Sequence, residues 1–95
     1  MGEYDFVKYG KMNMHVSAAQ IRGIVESTKI INNIQDMDDN TKFSDFGVDS
    51  LDMFSILLAI EESYGIKIPD ADAEKMNSIV EIATQLNVLL SDASQ

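Results

Sequence analysis

Apolar residues recur at helical spacing in three stretches of the chain, and between them the pattern breaks. In "SAAQIRGIVESTKIINNI" the residues Ile21, Ile24, Val25, Ile31 and Ile34 share one face, with Thr28 between them, and Ser17 and Gln20 stand ahead in capping-box spacing. That spacing predicts a first helix over about residues 18–33. Residues 35–48, "QDMDDNTKFSDFGV", lose the period and predict a long acidic loop, with Phe43, Phe46 and Val48 as its anchors on the core. A second helix is predicted from Ser50 to Gly65, a residue suited to the left-handed turn beyond a helix end. "GIKIPD" reads as an extended link, because the residue before Pro69 is pushed away from helical dihedrals. "DADAEKM" supplies one or two turns, capped by Asp70. Ser78 and Glu81 form a second capping box, and Ile79, Ile82, Ala83, Leu86, Leu89 and Leu90 give the last helix its apolar face. The expected fold is all-α, a small four-helix bundle of three main helices and one short one.

The second helix carries two apolar faces. At ~100° per residue, Met53, Ile56, Leu57, Ile60 and Tyr64 form one broad stripe toward the core. Leu51 and Leu58 fall on nearly the opposite side with Ser55 and Glu62, and Glu61 lies nearby. Apolar points inside a charged border suit a docking surface; a middle helix packed on both sides of a small bundle gives the same pattern.

Composition narrows the class. The chain has 95 residues, 45% of them hydrophobic, with a single proline and no tryptophan. A chain this short buries little more than ~60% of its unfolded surface, which leaves scant room for an internal active site. It is expected to hold one domain over 17–91, between an N-terminal extension, 1–16, expected to be flexible, and a short tail, 92–95. Without cysteine there is no disulfide, no thiolate metal site and no thiol nucleophile, and no metal site is expected. No apolar run approaches the ~18 residues of a membrane span, so the expected protein is soluble and cytoplasmic, without membrane insertion.

The net charge of −9 is unevenly placed. Residues 1–35 hold four cations against three acids, and residues 36–95 hold three cations against thirteen acids. Such a field repels nucleic acid, steers basic protein surfaces toward itself and favours a monomer. It also serves plain solubility. Asp36, Asp38 and Asn40 have the spacing of a calcium loop, but Thr41 stands where the loop glycine is needed and Gly47 where the bidentate glutamate is needed. His15, the only histidine, has no motif around it, so a Ser-His-Asp device is not expected.

The remaining chemistry sits in "FGVDSLDMF", residues 46–54. With Asp49 as N-cap and Asp52 in the first turn, the helix start is satisfied without Ser50. The Ser50 hydroxyl is then free where backbone amides and the helix dipole tolerate a phosphate. Nothing nearby activates it as a nucleophile, so it reads as an acceptor modified by another enzyme.

From Asp45 to Leu86 the chain resembles the acyl carrier protein family. The DSL triplet, the preceding glycine, the paired glutamates at the end of the same helix, the "IPD" link and the second capping box carry the likeness together. What the resemblance implies is a non-catalytic carrier whose Ser50 bears 4′-phosphopantetheine, donated from coenzyme A by a phosphopantetheinyl transferase. Acyl chains would ride on its thiol as thioesters, presented to acyl-transferring and synthase enzymes with basic docking patches, in fatty-acid, polyketide or specialised lipid biosynthesis. Carried over by position, Asp49, Leu51, Asp52, Phe54, Leu58, Glu61 and Glu62 form the partner surface. The cargo would slip among Met53, Leu57, Ile60, Ile68, Met76 and Ile79. Ser55 and Phe54 depart from the usual acidic and smaller aliphatic residues of fatty-acid carriers, which points to a carrier with its own enzymes. An aminoacyl or peptidyl carrier shares the bundle and the modified serine, and an unmodified acidic helical adaptor shares the fold alone.

Overall fold

The computed structural model describes residues 15–93, without the side chains of the last two. Of the flexible extension expected over residues 1–16, residues 1–14 lie outside the described residues, and Val16 is held in place. Four α-helices follow one another: α1 (Ala18–Thr28), α2 (Ser50–Tyr64), α3 (Asp70–Ala73) and α4 (Ile79–Ala93), with two 3-10 turns, Ile34–Asp36 and Phe43–Phe46, between α1 and α2. No strand forms among the described residues, and the protein is the all-α bundle expected. Helix α1 approaches both α2 and α4 most closely. Ile21, Val25, Ile56, Ile60, Met76, Ile79, Ile82 and Leu86 meet in the shared core, fully buried. The chain is already docked at Val16, whose backbone N–H donates to Asn87 Oδ1 at 2.7 Å and whose carbonyl accepts from Asn87 Nδ2 at 3.0 Å.

The capping box at α1 forms as predicted, Ser17 accepting from the Gln20 amide while the Gln20 side chain accepts from the Ser17 amide. The helix ends earlier than its hydrophobic period suggested. Thr28 Oγ1 donates to the Val25 carbonyl at 2.6 Å and accepts from the Ile30 amide, and Lys29 turns left-handed at φ 60°. A hydroxyl bound to the backbone competes with the next helical bonds. Ile31 and Ile34 are buried as expected, but from the loop and not from the helix face.

The loop is more ordered than its broken pattern implied. Phe43 and Val48 are buried anchors as expected, Phe46 is half-buried, and Met37 is a further anchor that the pattern concealed. The single arginine explains the order. Arg22 on α1 donates to the carbonyls of Ile34 and Met37 and to the Asp39 carboxylate, at 2.7 Å to the last. The planar guanidinium fixes three points of the loop at once. Asp39 passes the constraint on, since its carbonyl accepts from the Val80 amide at the start of α4.

Two corrections concern the second half. Asp70 is not a cap: Pro69, extended at ψ 151°, precedes the helix, and its carbonyl accepts from Asp72 and Ala73, so Asp70 is the first helical residue. The box at α4 closes on one side only. Ser78 Oγ accepts from the Glu81 amide at 3.2 Å, but the Glu81 carboxylate reaches past Ser78 to the Asn77 amide at 2.9 Å. Ser78 is itself buried at 4% exposure, the only buried polar residue among those described.

Candidate functional site

The start of α2 is built by two turn residues and one cap. Gly47 adopts φ 80°, a left-handed conformation that costs a side chain strain, and it ends the second 3-10 turn with its amide on the Phe43 and Ser44 carbonyls. Val48 is buried and its amide donates back to Phe43. That reversal aims Asp49 and Ser50 outward. Asp49 is extended and its carboxylate accepts from the Asp52 amide at 2.9 Å, the cap expected from the sequence. Ser50 is consequently the first helical residue, exposed, and its hydroxyl holds no hydrogen bond among the described residues.

Beside it lies a cleft of about 390 Å³ lined by Lys42, Phe43, Ser44, Val48, Asp49, Ser50, Met53 and Asn77. The Phe43 amide donates to the Asn77 carbonyl at 2.9 Å and ties the loop before α2 to the segment before α4 across this cleft. A second, smaller slot of about 90 Å³ lies between α2 and α3, lined by Phe54, Leu57, Leu58, Glu61, Ile68, Asp70 and Ala73.

The residues expected at the partner surface are mostly outward. Leu51 is 75% exposed, Phe54 65% and Leu58 43%, an unusual display for three large apolar side chains of one helix. Glu62 is exposed and Asp52 half-exposed beside them. Glu61 is different, since its carboxylate accepts from the Ile68 amide at 2.7 Å and holds the extended link against α2. Asp49 likewise is committed to its cap.

The residues expected around a cargo do not line one cavity. Ile60, Met76 and Ile79 are fully buried in the common core with Ile68 beside them, and Leu57 and Ile68 touch the smaller slot. Met53 alone of the six borders the cleft at Ser50. Lys42 and Asn77, which no sequence pattern singled out, border it too. Lys42 had one available signal: between residues 36 and 66 it is the only cation among eight acids.

Burial raises the Tyr64 phenol above its ordinary value of 10.0. Among the described residues no cluster of three or more metal-ligating side chains forms, and no helix is long and apolar enough to cross a membrane.

The site fits a phosphoryl-linked group on chemical grounds. A free primary hydroxyl heads a long helix, with first-turn amides behind it, a lysine in the adjoining cleft and open space beyond. Residues 19–86 match the family model described as "Phosphopantetheine attachment site". The chain is 43% identical over 51 residues to the acyl carrier protein of Campylobacter hominis, covering 54% of this chain and 65% of that protein. It is 48% identical over 46 residues to the mitochondrial acyl carrier protein of Dictyostelium discoideum, covering 48% and 38%. A third match, 43% over 42 residues, is to the acyl carrier protein of Bdellovibrio bacteriovorus, covering 44% and 54%. The chain thus spans less than two thirds of the length of the curated relatives it matches. With the family model covering most of the bundle, the chain belongs to the acyl carrier protein family, whose domain carries covalently attached 4′-phosphopantetheine.

Proposed function

We propose that this protein is a carrier of acyl intermediates, modified at Ser50 and itself without catalytic function. The observation that supports Ser50 most is its exposure with an unused hydroxyl while Asp49 performs the capping. In the loading reaction the Ser50 Oγ attacks the phosphorus of coenzyme A that bears the pantetheine. An Oγ–P bond forms, the pyrophosphate P–O bond breaks, 3′,5′-ADP leaves, and a base of the transferase takes the serine proton. The group supplies, when bound, a terminal thiol that this cysteine-free chain lacks and on which acyl chains are held as thioesters.

The chain's own residues present the site. Asp49 fixes the helix start so that Ser50 faces solvent, and Gly47 supplies the turn that brings it there. Leu51, Phe54 and Leu58 offer apolar contact, and Asp52 and Glu62 offer charge to basic partner enzymes, which include the transferase. Glu61 serves this surface indirectly, by holding the link beneath it. The exposed Phe54 ring and the neutral Ser55 next to it favour partners of a dedicated acyl, polyketide or specialised lipid system over a general fatty-acid synthase.

The test is an intact-mass spectrum after incubation with coenzyme A, magnesium and a broad-specificity phosphopantetheinyl transferase, with fragmentation to locate the adduct. One phosphopantetheine on Ser50 is expected. Folded protein that gains no mass, beside a control carrier that does, sinks the reading and leaves an unmodified helical adaptor.

A further inference from the structure

The cleft beside Ser50 contains a charge that neither the fold nor the capping scheme uses. Lys42 lies at its edge with no hydrogen bond or ion pair among the described residues, although eight acids share residues 36–66 with it. Arg22, by comparison, is fully engaged by Asp39 and two carbonyls. Esterification of Ser50 by a phosphodiester adds one more negative charge beside Asp49 and Asp52, where the field is already unfavourable. An ammonium on a flexible four-carbon stem is the one cation in the lining of that cleft among the described residues.

The lining also holds one side-chain acceptor without a partner among the described residues. Asn77 is exposed, and its Nδ2 donates to the Glu74 carbonyl at 3.1 Å while its Oδ1 accepts nothing among the described residues. The half-buried Met53 side chain gives the cleft apolar surface, while Phe43, 1% exposed, presents almost none. The lining thus offers a cation, an amide acceptor and an apolar side chain in a cleft of about 390 Å³. Those groups suit a phosphodiester, an amide N–H and a gem-dimethyl carbon.

We infer that the prosthetic arm of the loaded protein rests in this cleft, its phosphodiester paired with Lys42 and its dimethyl segment on Met53. The inference rests on Ser50 as the attachment point. Lys42 is then a binding residue for the arm, and it offsets the charge that loading adds. The contact also sets the arm's direction: from Ser50 toward the loop and Asn77, away from the Leu51, Phe54 and Leu58 face. A partner that docks on that face draws the arm out of the cleft, at the cost of a partly solvated ion pair.

The experiment compares loaded wild-type protein with loaded Lys42→Gln, each brought to complete loading with excess transferase and verified by intact mass. Nuclear Overhauser contacts from the arm's methyl groups to the Met53 methyl are expected in the wild type. In Lys42→Gln those contacts weaken severalfold or vanish, and the phosphorus-31 resonance of the diester moves. A loaded wild-type protein that lacks these contacts overturns the inference while the carrier reading stands, and so does an unchanged spectrum in the variant. Absence of any mass gain in the wild type is the separate failure of the carrier reading. The wild-type contacts decide the matter whether or not the variant accepts the arm.

Discussion

Helices α2 and α4 both begin next to a serine, and the two serines end in opposite circumstances. Ser78 is the cap of α4: it is buried, and its hydroxyl accepts from the Glu81 amide. Ser50 stands one position further on, because Asp49 has taken the capping role at α2, and its hydroxyl is exposed and idle. A register difference of one residue separates a capping hydroxyl from one left without a partner among the described residues. The two helix starts also differ in what holds them. That of α4 leans on other elements, with the Asp39 carbonyl on the Val80 amide and Arg22 on Asp39. That of α2 is satisfied by its own neighbours in sequence, Asp49 and the turn at Gly47. A serine that other enzymes must reach, as proposed for Ser50, gains from such local closure.

Exchange of Ser50 for alanine separates the two roles most sharply. Ser50→Ala is expected to lose all mass gain with transferase and coenzyme A, while unfolding free energy changes by less than about 0.5 kcal/mol, as for an exposed position without partners. A large loss of helix in circular dichroism would instead make Ser50 a structural residue. Arg22→Met tests the dependence of α4 on remote support. Three acceptors lose their donor, and the part-exposed geometry limits the loss to about 1–2 kcal/mol. Amide exchange should accelerate at Val80 more than at Asp52; equal acceleration at both would erase the distinction between the two starts.

Ser78→Ala is expected to cost about 1 kcal/mol, the usual value of a lost N-cap, with a drop in melting temperature of roughly 4–8 °C for a domain of this size. Loading at Ser50 should be unaffected, and a loading defect in that variant would show that the starts are coupled. The smallest effect lies at the far end of α2. The folded protein holds the Tyr64 phenolic proton to a higher pH than the unfolded chain does, because burial raises its value above 10.0. Its contribution is therefore whole below pH 10 and is lost as the pH rises through the raised folded value. Tyr64→Phe should flatten that alkaline decline in melting temperature, and an unchanged slope would assign the decline to other groups.

Much of this was legible in the sequence because it is decided locally. Caps, helix stops and apolar stripes depend on residues three or four apart, so Ser17, Asp49, Ser50, Gly65 and the face of α4 could be assigned by spacing alone. Where a local hydroxyl competed with the backbone, the same reasoning overran, as at Thr28, and an extended proline displaced the cap expected at Asp70. The residues around Ser50 divide along the same line. The exposed Ser50 and the outward Leu51, Phe54 and Leu58 follow from the order of residues in one helix. The cleft does not, because Lys42, Met53 and Asn77 come from three separate segments and meet only when the Phe43 amide finds the Asn77 carbonyl.

The sequence by itself determined the helices, the excess of acid after the first of them, and the free serine at the head of α2, since each is a property of neighbouring residues. Only the tertiary structure decided that one arginine would organise the acidic loop, that Glu61 would turn inward to the Ile68 amide, and that a lysine without a partner among the described residues would share a cleft with Ser50. Those depend on which distant segments are brought together by burying the isoleucine core, and no local spacing encodes the geometry of that closure.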